Sequence, residues 1–282
     1  MAVKSLLNSI SGLTSTIVDE RQKHEFVSIN RDLSENQYSV KLVVSGKMIE
    51  WFEYERPQSS LYANSGSINI PISEDEARAK NYAQVKKRLT RLIWSNENLN
   101  KFITLTMREN IADLKITNPL FNDYINKMRK VYPNFNYICV PEFQQRGAVH
   151  YHTLNSLPFI PAKKIVKIWS NGSIDVKRTY RIKNLARYMT KYLTKDLFDG
   201  RLYRQKKFFC SAGIKQPVVV YDDFALSLFA RYRYLKKIYQ YDFNVKYLGK
   251  IRCIQYFNEG ARRAMASHAS TQQELAVLDG YS

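Results

Sequence analysis

The segment from Val140 to His152, which reads Val-Pro-Glu-Phe-Gln-Gln-Arg-Gly-Ala-Val-His-Tyr-His, constrains the fold more than any other stretch of the chain. Alternate side chains of an extended strand share a face, so His150 and His152 point the same way. Arg146-Gly147 is the natural reversal point, because glycine accepts the backbone angles of a tight turn. Folding about residue 146 sets Glu142 opposite His150 on the histidine face, within cross-strand reach. Gln144 shares that face and is the alternative ligand. Two imidazoles and a carboxylate with nothing to close the shell make an open divalent-metal site, with positions left for a substrate oxygen.

A second feature lies downstream, from Lys183 to Lys195. Leu185, Tyr188, Met189, Tyr192 and Leu193 recur at helical spacing, which predicts an amphipathic helix. Tyr188 and Tyr192 stack on one face of it, beside Lys191 and Lys195. The unit Tyr-x-x-Lys therefore occurs twice in succession. A tyrosine hydroxyl attacks phosphorus once its oxyanion is stabilised, and an ammonium can do this while also holding a phosphate.

These motifs, with the strand Phe102-Ile-Thr-Leu-Thr106 before them, run in the order of the HUH endonucleases that initiate rolling-circle replication. The chain resembles that superfamily, and within it the replication initiators of bacterial plasmids and phages, including gene II-like proteins. Flanking text extends the likeness over most of residues 38–257: Leu157-Pro158, Ser211-x-Gly213-x-x-x-Pro217, and Lys41–Gly46 followed by Trp51–Pro57. Met107 stands where the family commonly has an aromatic residue.

The resemblance implies an α+β fold whose central antiparallel sheet carries the His-x-His hairpin between helices. It implies nicking and rejoining of single-stranded DNA by transesterification, leaving a 5′-phosphotyrosine and a free 3′-OH. His150, His152 and Glu142 would hold the metal, Mg or Mn by the hardness of the oxygen donors, although two imidazoles also suit Zn or Ni. Tyr188 and Tyr192 are the nucleophile candidates, with Lys191 beside them. They resemble the paired tyrosines of the A proteins of isometric single-stranded-DNA phages. If one is to be chosen, Tyr188 is favoured, since Lys191 falls in the best-matched position. Arg146, Lys195, Arg201, Arg204, Lys206 and Lys207 are the candidate DNA contacts. Expected partners are single-stranded or hairpin origin DNA, a host helicase and a polymerase, without a membrane. A mobilisation relaxase or single-strand transposase is the nearest rival, though relaxases usually place the tyrosine before the histidines. A non-catalytic DNA-binding regulator and a zinc-dependent hydrolase are the others.

Composition agrees. The chain has 44 Lys and Arg against 25 Asp and Glu, a net charge of +19 over 282 residues, which favours a polyanionic partner. Its 20 Tyr and 14 Phe offer faces for unpaired bases, although most are expected in the core. Cys139, Cys210 and Cys253 are isolated and odd in number, which excludes a disulfide framework or Cys-x-x-Cys knuckle and fits a reducing, cytoplasmic setting. Neither a membrane-spanning run nor a secretory signal is legible. No Gly-x-x-x-x-Gly-Lys-Ser/Thr loop occurs, so no fused helicase engine is expected.

Along the chain, residues 1–37 read as a polar extension, 38–257 as the nuclease domain with its own N-terminal hairpin, and 258–282 as a weakly ordered tail. Strands are expected at Tyr38–Val44, Met48–Tyr54, Phe102–Thr106, Asn136–Glu142, Ala148–Leu154 and Phe208–Ser211. Helices are expected from Ser73-Glu-Asp-Glu76 to about Trp94, over Leu120–Tyr132, and over Phe224–Lys237, with a final hairpin across Asp242–Phe257. The basic stretches 80–91 and 201–207 are read as backbone contacts to nucleic acid.

Overall fold

The computed structural model describes residues 37–59, 73–179, 182, 184–195, 201, 205–232, 234–245 and 249–258. The expected N-terminal extension and tail fall outside these residues, except for Gln37 and Asn258. The fold is α+β, with two antiparallel five-stranded sheets. Contacts divide the described chain into two compact units, one drawing on residues 37–42, 50–59 and 219–258 and the other on 43–49 and 73–218.

The first unit is built on a sheet ordered β8-β1-β2-β10-β9. Its strands are β1 (Gln37–Ser45), β2 (Met48–Ser59), β8 (Val218–Tyr221), β9 (Leu235–Val245) and β10 (Gly249–Asn258). A short helix, α5 (Asp222–Phe229), follows β8 and anchors through Phe229, whose ring lies 4.9 Å from Trp51 and 5.2 Å from Tyr256. The helix expected over Phe224–Lys237 thus stops at Phe229. Beyond it, residues 235–245 pair along β10, because an aromatic and β-branched run is better served by a ladder than by a helix lacking an apolar stripe. The last strand pair is correspondingly longer than expected, covering residues 235–245 and 249–258.

The second unit carries the sheet β6-β3-β5-β4-β7. Its strands are β3 (Lys101–Met107), β4 (Tyr137–Phe143), β5 (Val149–Asn155), β6 (Gly172–Arg178) and β7 (Phe209–Cys210), and helices cover both faces. On one face lie α2 (Leu114–Val131) and α3 (Ala162–Trp169), over Ile103, Leu105, Cys139, Val149 and Tyr151. On the other lie α1 (Glu74–Ser95) and α4 (Leu185–Lys195), over Phe102, Ile138, Val140 and Leu154. The odd-even split of those strand residues is the period of two read through the sheet.

Local chemistry sets the helix ends. Ser73 and Glu76 form the expected reciprocal capping box at the start of α1. Helix α2 begins at Leu114 rather than Leu120, with Asp113 accepting from the Lys115 amide at 2.8 Å. Pro119 therefore sits inside the helix, where it removes one backbone bond. Burial of Leu114 and Thr117 offsets that loss, and the Tyr151 hydroxyl donates at 2.8 Å to Thr117 and lies 2.8 Å from Asn118. Helix α3 and strands β6 and β8 have no counterpart among the sequence expectations. Trp169, fully buried at the end of α3, donates its indole N–H to the Thr106 carbonyl at 3.1 Å and so fixes the β3 end of the site. No helix among the described residues is long and apolar enough to cross a membrane, and the three cysteines are free.

Strand β6 can lie beside β3 because it opens with glycine. A Cβ on Gly172 would stand 2.1 Å from the Thr106 oxygen and 2.7 Å from the Arg108 nitrogen, both backbone atoms that cannot yield cheaply. Gly172→Ala is expected to lower stability by about 1–3 kcal/mol in urea denaturation. Gly213→Ala, whose Cβ would meet only the Asn136 side chain at 3.1 Å, is expected to lose less.

Candidate active site

The β4–β5 hairpin turns where glycine allows it. Gly147 has φ +101°, and the turn closes through Gln144 N to Ala148 O at 2.9 Å and Gly147 N to Gln144 O at 2.8 Å. Register then pairs Glu142 with His150 and Val140 with His152, as folding about residue 146 requires. Across β3, Thr106 pairs with His150 and Thr104 with His152, and β6 adds Ser173 and Asp175 to those rows. Every one of these side chains points to the face covered by α1 and α4.

Glu142, His150 and His152 come together, with one ligand atom from each lying within 4.8 Å of the others. Glu142 and His152 are buried and His150 is half-buried. The His152 Nε2 meets Glu142 Oε2, while its Nδ1 lies 3.1 Å from the Thr104 hydroxyl. A hydroxyl both donates and accepts, so Thr104 can hold the imidazole in either tautomer and leave Nε2 directed at the carboxylate. Two nitrogens and an oxygen on neighbouring strands fit a divalent cation, and the donor set accepts both hard and borderline ions. Gln144, the alternative ligand, has its amide oxygen engaged by Arg146 Nε at 2.8 Å.

Helix α4 lays its tyrosines over this group. Asn184 starts the helix by accepting the Arg187 amide on its side chain at 2.9 Å. Ala186, Met189, Tyr192 and Leu193 are buried against the sheet, and Leu185 and Tyr188 pack at the margin. The Tyr192 ring stacks on His152 with centroids 3.7 Å apart and an interplanar angle of 16°. Phe102 lies 6.0 Å from the same ring in a stacked orientation and 5.1 Å from Tyr188 edge-on. Lys191 holds its ammonium over both tyrosine rings, 4.1 Å from the Tyr188 centroid and 4.8 Å from that of Tyr192.

The two phenols differ electrostatically. Burial alone raises the Tyr188 pKa, but a hydrogen bond from Tyr192, a second from Lys177, and the charges of Lys177 and Lys191 outweigh it, so the phenol titrates below its ordinary value. Tyr192 is pushed strongly upward, first by burial, then by its hydrogen bond to Tyr188 and the nearby negative charge of Glu142 and Asp175. The oxygen of Tyr188 thus collects donors, and Tyr192 supplies one of them.

Lys177 escaped the sequence reading. It lies on β6, donates to the Tyr188 oxygen at 3.3 Å, and is held by Asp175 at 3.5 Å. No motif marks it; only the pairing of β6 with β3 brings it to the site. Thr104 enters the sequence reading only as part of the Phe102–Thr106 strand, and its bond to His152 likewise needs the register.

The expected DNA contacts are dispersed. Arg146 bonds Gln144 and the Met107 carbonyl at 3.1 Å, bracing the hairpin turn. Arg201 stacks over Phe143 at 3.8 Å and reaches the Gly147 carbonyl at 3.4 Å. Lys206 is exposed and Lys207 half-buried near β7. Lys195 ends α4 with its side chain outside the described residues, and Arg204 is outside them altogether.

If Thr104 orients the imidazole, Thr104→Val leaves the shape of the strand but removes that hold. Affinity for Mn or Co by isothermal titration is expected to fall roughly 10- to 100-fold, the usual penalty for losing such an outer partner.

Residues 100–197 match the family model of the replication-associated proteins of the ORF2 and gene II protein type. The matched span runs from β3 to just past α4 and holds every residue of the metal group and both tyrosines. No curated protein and no solved structure matches the chain.

Proposed function

We propose that the chain is a replication initiator that nicks and rejoins single-stranded or hairpin origin DNA, with Tyr188 as the attacking group. The observation that carries this reading is the convergence on one sheet face of a Glu-His-His group and a phenol held below its ordinary pKa. The match to the replication-associated family points to the same biological setting.

Glu142, His150 and His152 would hold the divalent cation, Mg or Mn, which when bound withdraws charge from a phosphate oxygen as phosphorus becomes five-coordinate. The chain's own groups do the rest. The Tyr188 oxygen, deprotonated to solvent, attacks phosphorus in line; the new O–P bond forms as the bond to the 3′ oxygen breaks. The 3′ oxygen takes a proton from water and leaves as a free 3′-OH, able to prime a host polymerase. The 5′ end stays on the protein as a phosphotyrosine. The P–O bond is exchanged rather than hydrolysed, so the 3′-OH can attack in return and rejoin the strand. Tyr192 keeps its proton and donates it in a hydrogen bond to the reacting oxygen, while its ring supports His152. This gives the pair unequal tasks rather than alternating attacks. Basic side chains at Lys195, Arg201, Arg204, Lys206 and Lys207 would hold the backbone, and unwinding would need a host helicase.

Incubation with single-stranded origin DNA and Mn is expected to give a covalent protein–DNA adduct. Tyr188→Phe should abolish it, whereas Tyr192→Phe, which keeps the stacked ring, should slow adduct formation without abolishing it. A free 5′-phosphate with no adduct would point instead to metal-activated hydrolysis, and binding with no cleavage to a regulator. Raising pH increases the phenolate fraction of Tyr188. The rate of adduct formation is therefore expected to climb and level off below the ordinary phenol value of 10.0.

A further inference from the structure

We propose that Lys177 of β6, rather than Lys191 of the Tyr-x-x-Lys unit, is the catalytic cation at the nucleophilic oxygen. The inference rests on Tyr188 being the attacking group.

The geometry separates the two lysines. Lys191 sits one helical turn beyond Tyr188, and its ammonium lies over the ring faces of both tyrosines. An ammonium there is attracted to the π cloud, whereas the oxygen lies in the plane of the ring, away from it. Lys177 reaches the oxygen itself, donating at 3.3 Å. Strand pairing explains why: Lys177 is opposite Phe102, and Phe102 is the residue that Tyr188 packs against edge-on. Two residues earlier, Asp175 shares the face and lies 3.5 Å from the ammonium, which keeps Lys177 charged and aimed. Strand β6 is an edge strand, so the ammonium is also open to an incoming phosphate.

The role follows from charge. The phenol of Tyr188 gives its proton to solvent, and the ammonium of Lys177 keeps its own throughout. Lys177 stabilises the phenolate before attack and again when the phosphotyrosine is broken, because the phenolate is then the leaving group. Nicking and rejoining should lose rate together when it is removed. Lys191, over the rings, fixes the aromatic pair and adds a more distant charge. Among the described residues, the other titratable group at the oxygen is Tyr192 from α4, with Asp175 of β6 acting through Lys177 and Tyr192 and Glu142 of β4 acting through Tyr192.

The test is a titration of the full-length, metal-free chain carrying tyrosine labelled with 13C at Cζ, with the Tyr188 resonance assigned by Tyr188→Phe. Lys177→Gln is expected to move the Tyr188 midpoint up by about one pH unit, in line with losing a hydrogen-bonded opposite charge. Lys191→Gln should move it less, Lys177→Arg should largely restore it, and Asp175→Asn should give an intermediate change. In the nicking assay, Lys177→Gln should shift the pH–rate profile upward by the same amount and slow rejoining in parallel. An unchanged midpoint in folded Lys177→Gln, or a larger shift from Lys191→Gln, would overturn the assignment even if the wild type forms its adduct normally. A wild type that never forms an adduct overturns the nicking reading and any catalytic role with it. The titration shift would then stand as an electrostatic fact about Tyr188.

Discussion

The pairing of β4 with β5 about residue 146 is the constraint on which the site depends. It is the turn at Gly147, with a backbone angle closed to most side chains, that puts Glu142 opposite His150. A slip of one residue would turn both imidazoles, or the carboxylate, to the face filled by α2 and α3. That face is packed with Tyr151, Cys139, Val149 and Leu105, so the slip would bury charge among apolar side chains while exposing a core. The hydrophobic pattern therefore protects the grouping. The register that buries Tyr151 and Val149 is the one that assembles Glu142, His150 and His152.

The same sheet explains how a candidate metal group and a candidate nucleophile can be brought to one place by separate elements. The strands supply rows: Ser173, Thr106, His150 and Glu142 form one, and Asp175, Thr104, His152 and Val140 the next. Helix α4 crosses above them and is fixed by Met189, Leu193 and Tyr192, which belong to the core. Tyr192 is thus a packing residue and a site residue at once. Its ring contributes apolar burial, its face supports His152, and its hydroxyl serves Tyr188. Removing the ring would disturb all three, whereas removing the hydroxyl alone would disturb one.

Much of this was legible in the sequence because it depends on short-range periodicity. The His-x-His alternation, the glycine reversal, the apolar stripe of α4 and the Ser73–Glu76 capping box are each written within a few residues. What was not legible depends on pairing between distant segments. Lys177 and Asp175 belong to a strand whose alternation, Ser173-Ile-Asp-Val-Lys177, is short, and only its place beside β3 gives them meaning. The helix expected from Leu120 starts at Leu114 with Pro119 inside it, because burial of Leu114 and the Tyr151 hydroxyl hold an earlier turn. Residues beyond Phe229 read as helix continuing, but β10 offered a long ladder and took them as β9. In each case a tertiary partner outweighed local preference.

The doubled Tyr-x-x-Lys shows how much a site depends on the sheet beneath it. Two copies of one motif lie four residues apart on one helix face, with Tyr188 favoured where one is chosen. Four residues on a helix span about 6 Å along the axis at the usual rise of about 1.5 Å per residue, and here that step moves a phenol from over His152 toward the edge strand β6. Over His152 the ring is buried beside a carboxylate, and its proton is held. Near β6 the oxygen meets an ammonium, and its proton is loosened. The motif fixes which face a tyrosine occupies, while the sheet beneath fixes what that tyrosine can do. The likeness in sequence is therefore broken by the depth of each ring and by the charged neighbours at its oxygen, with no difference in the local text to announce it.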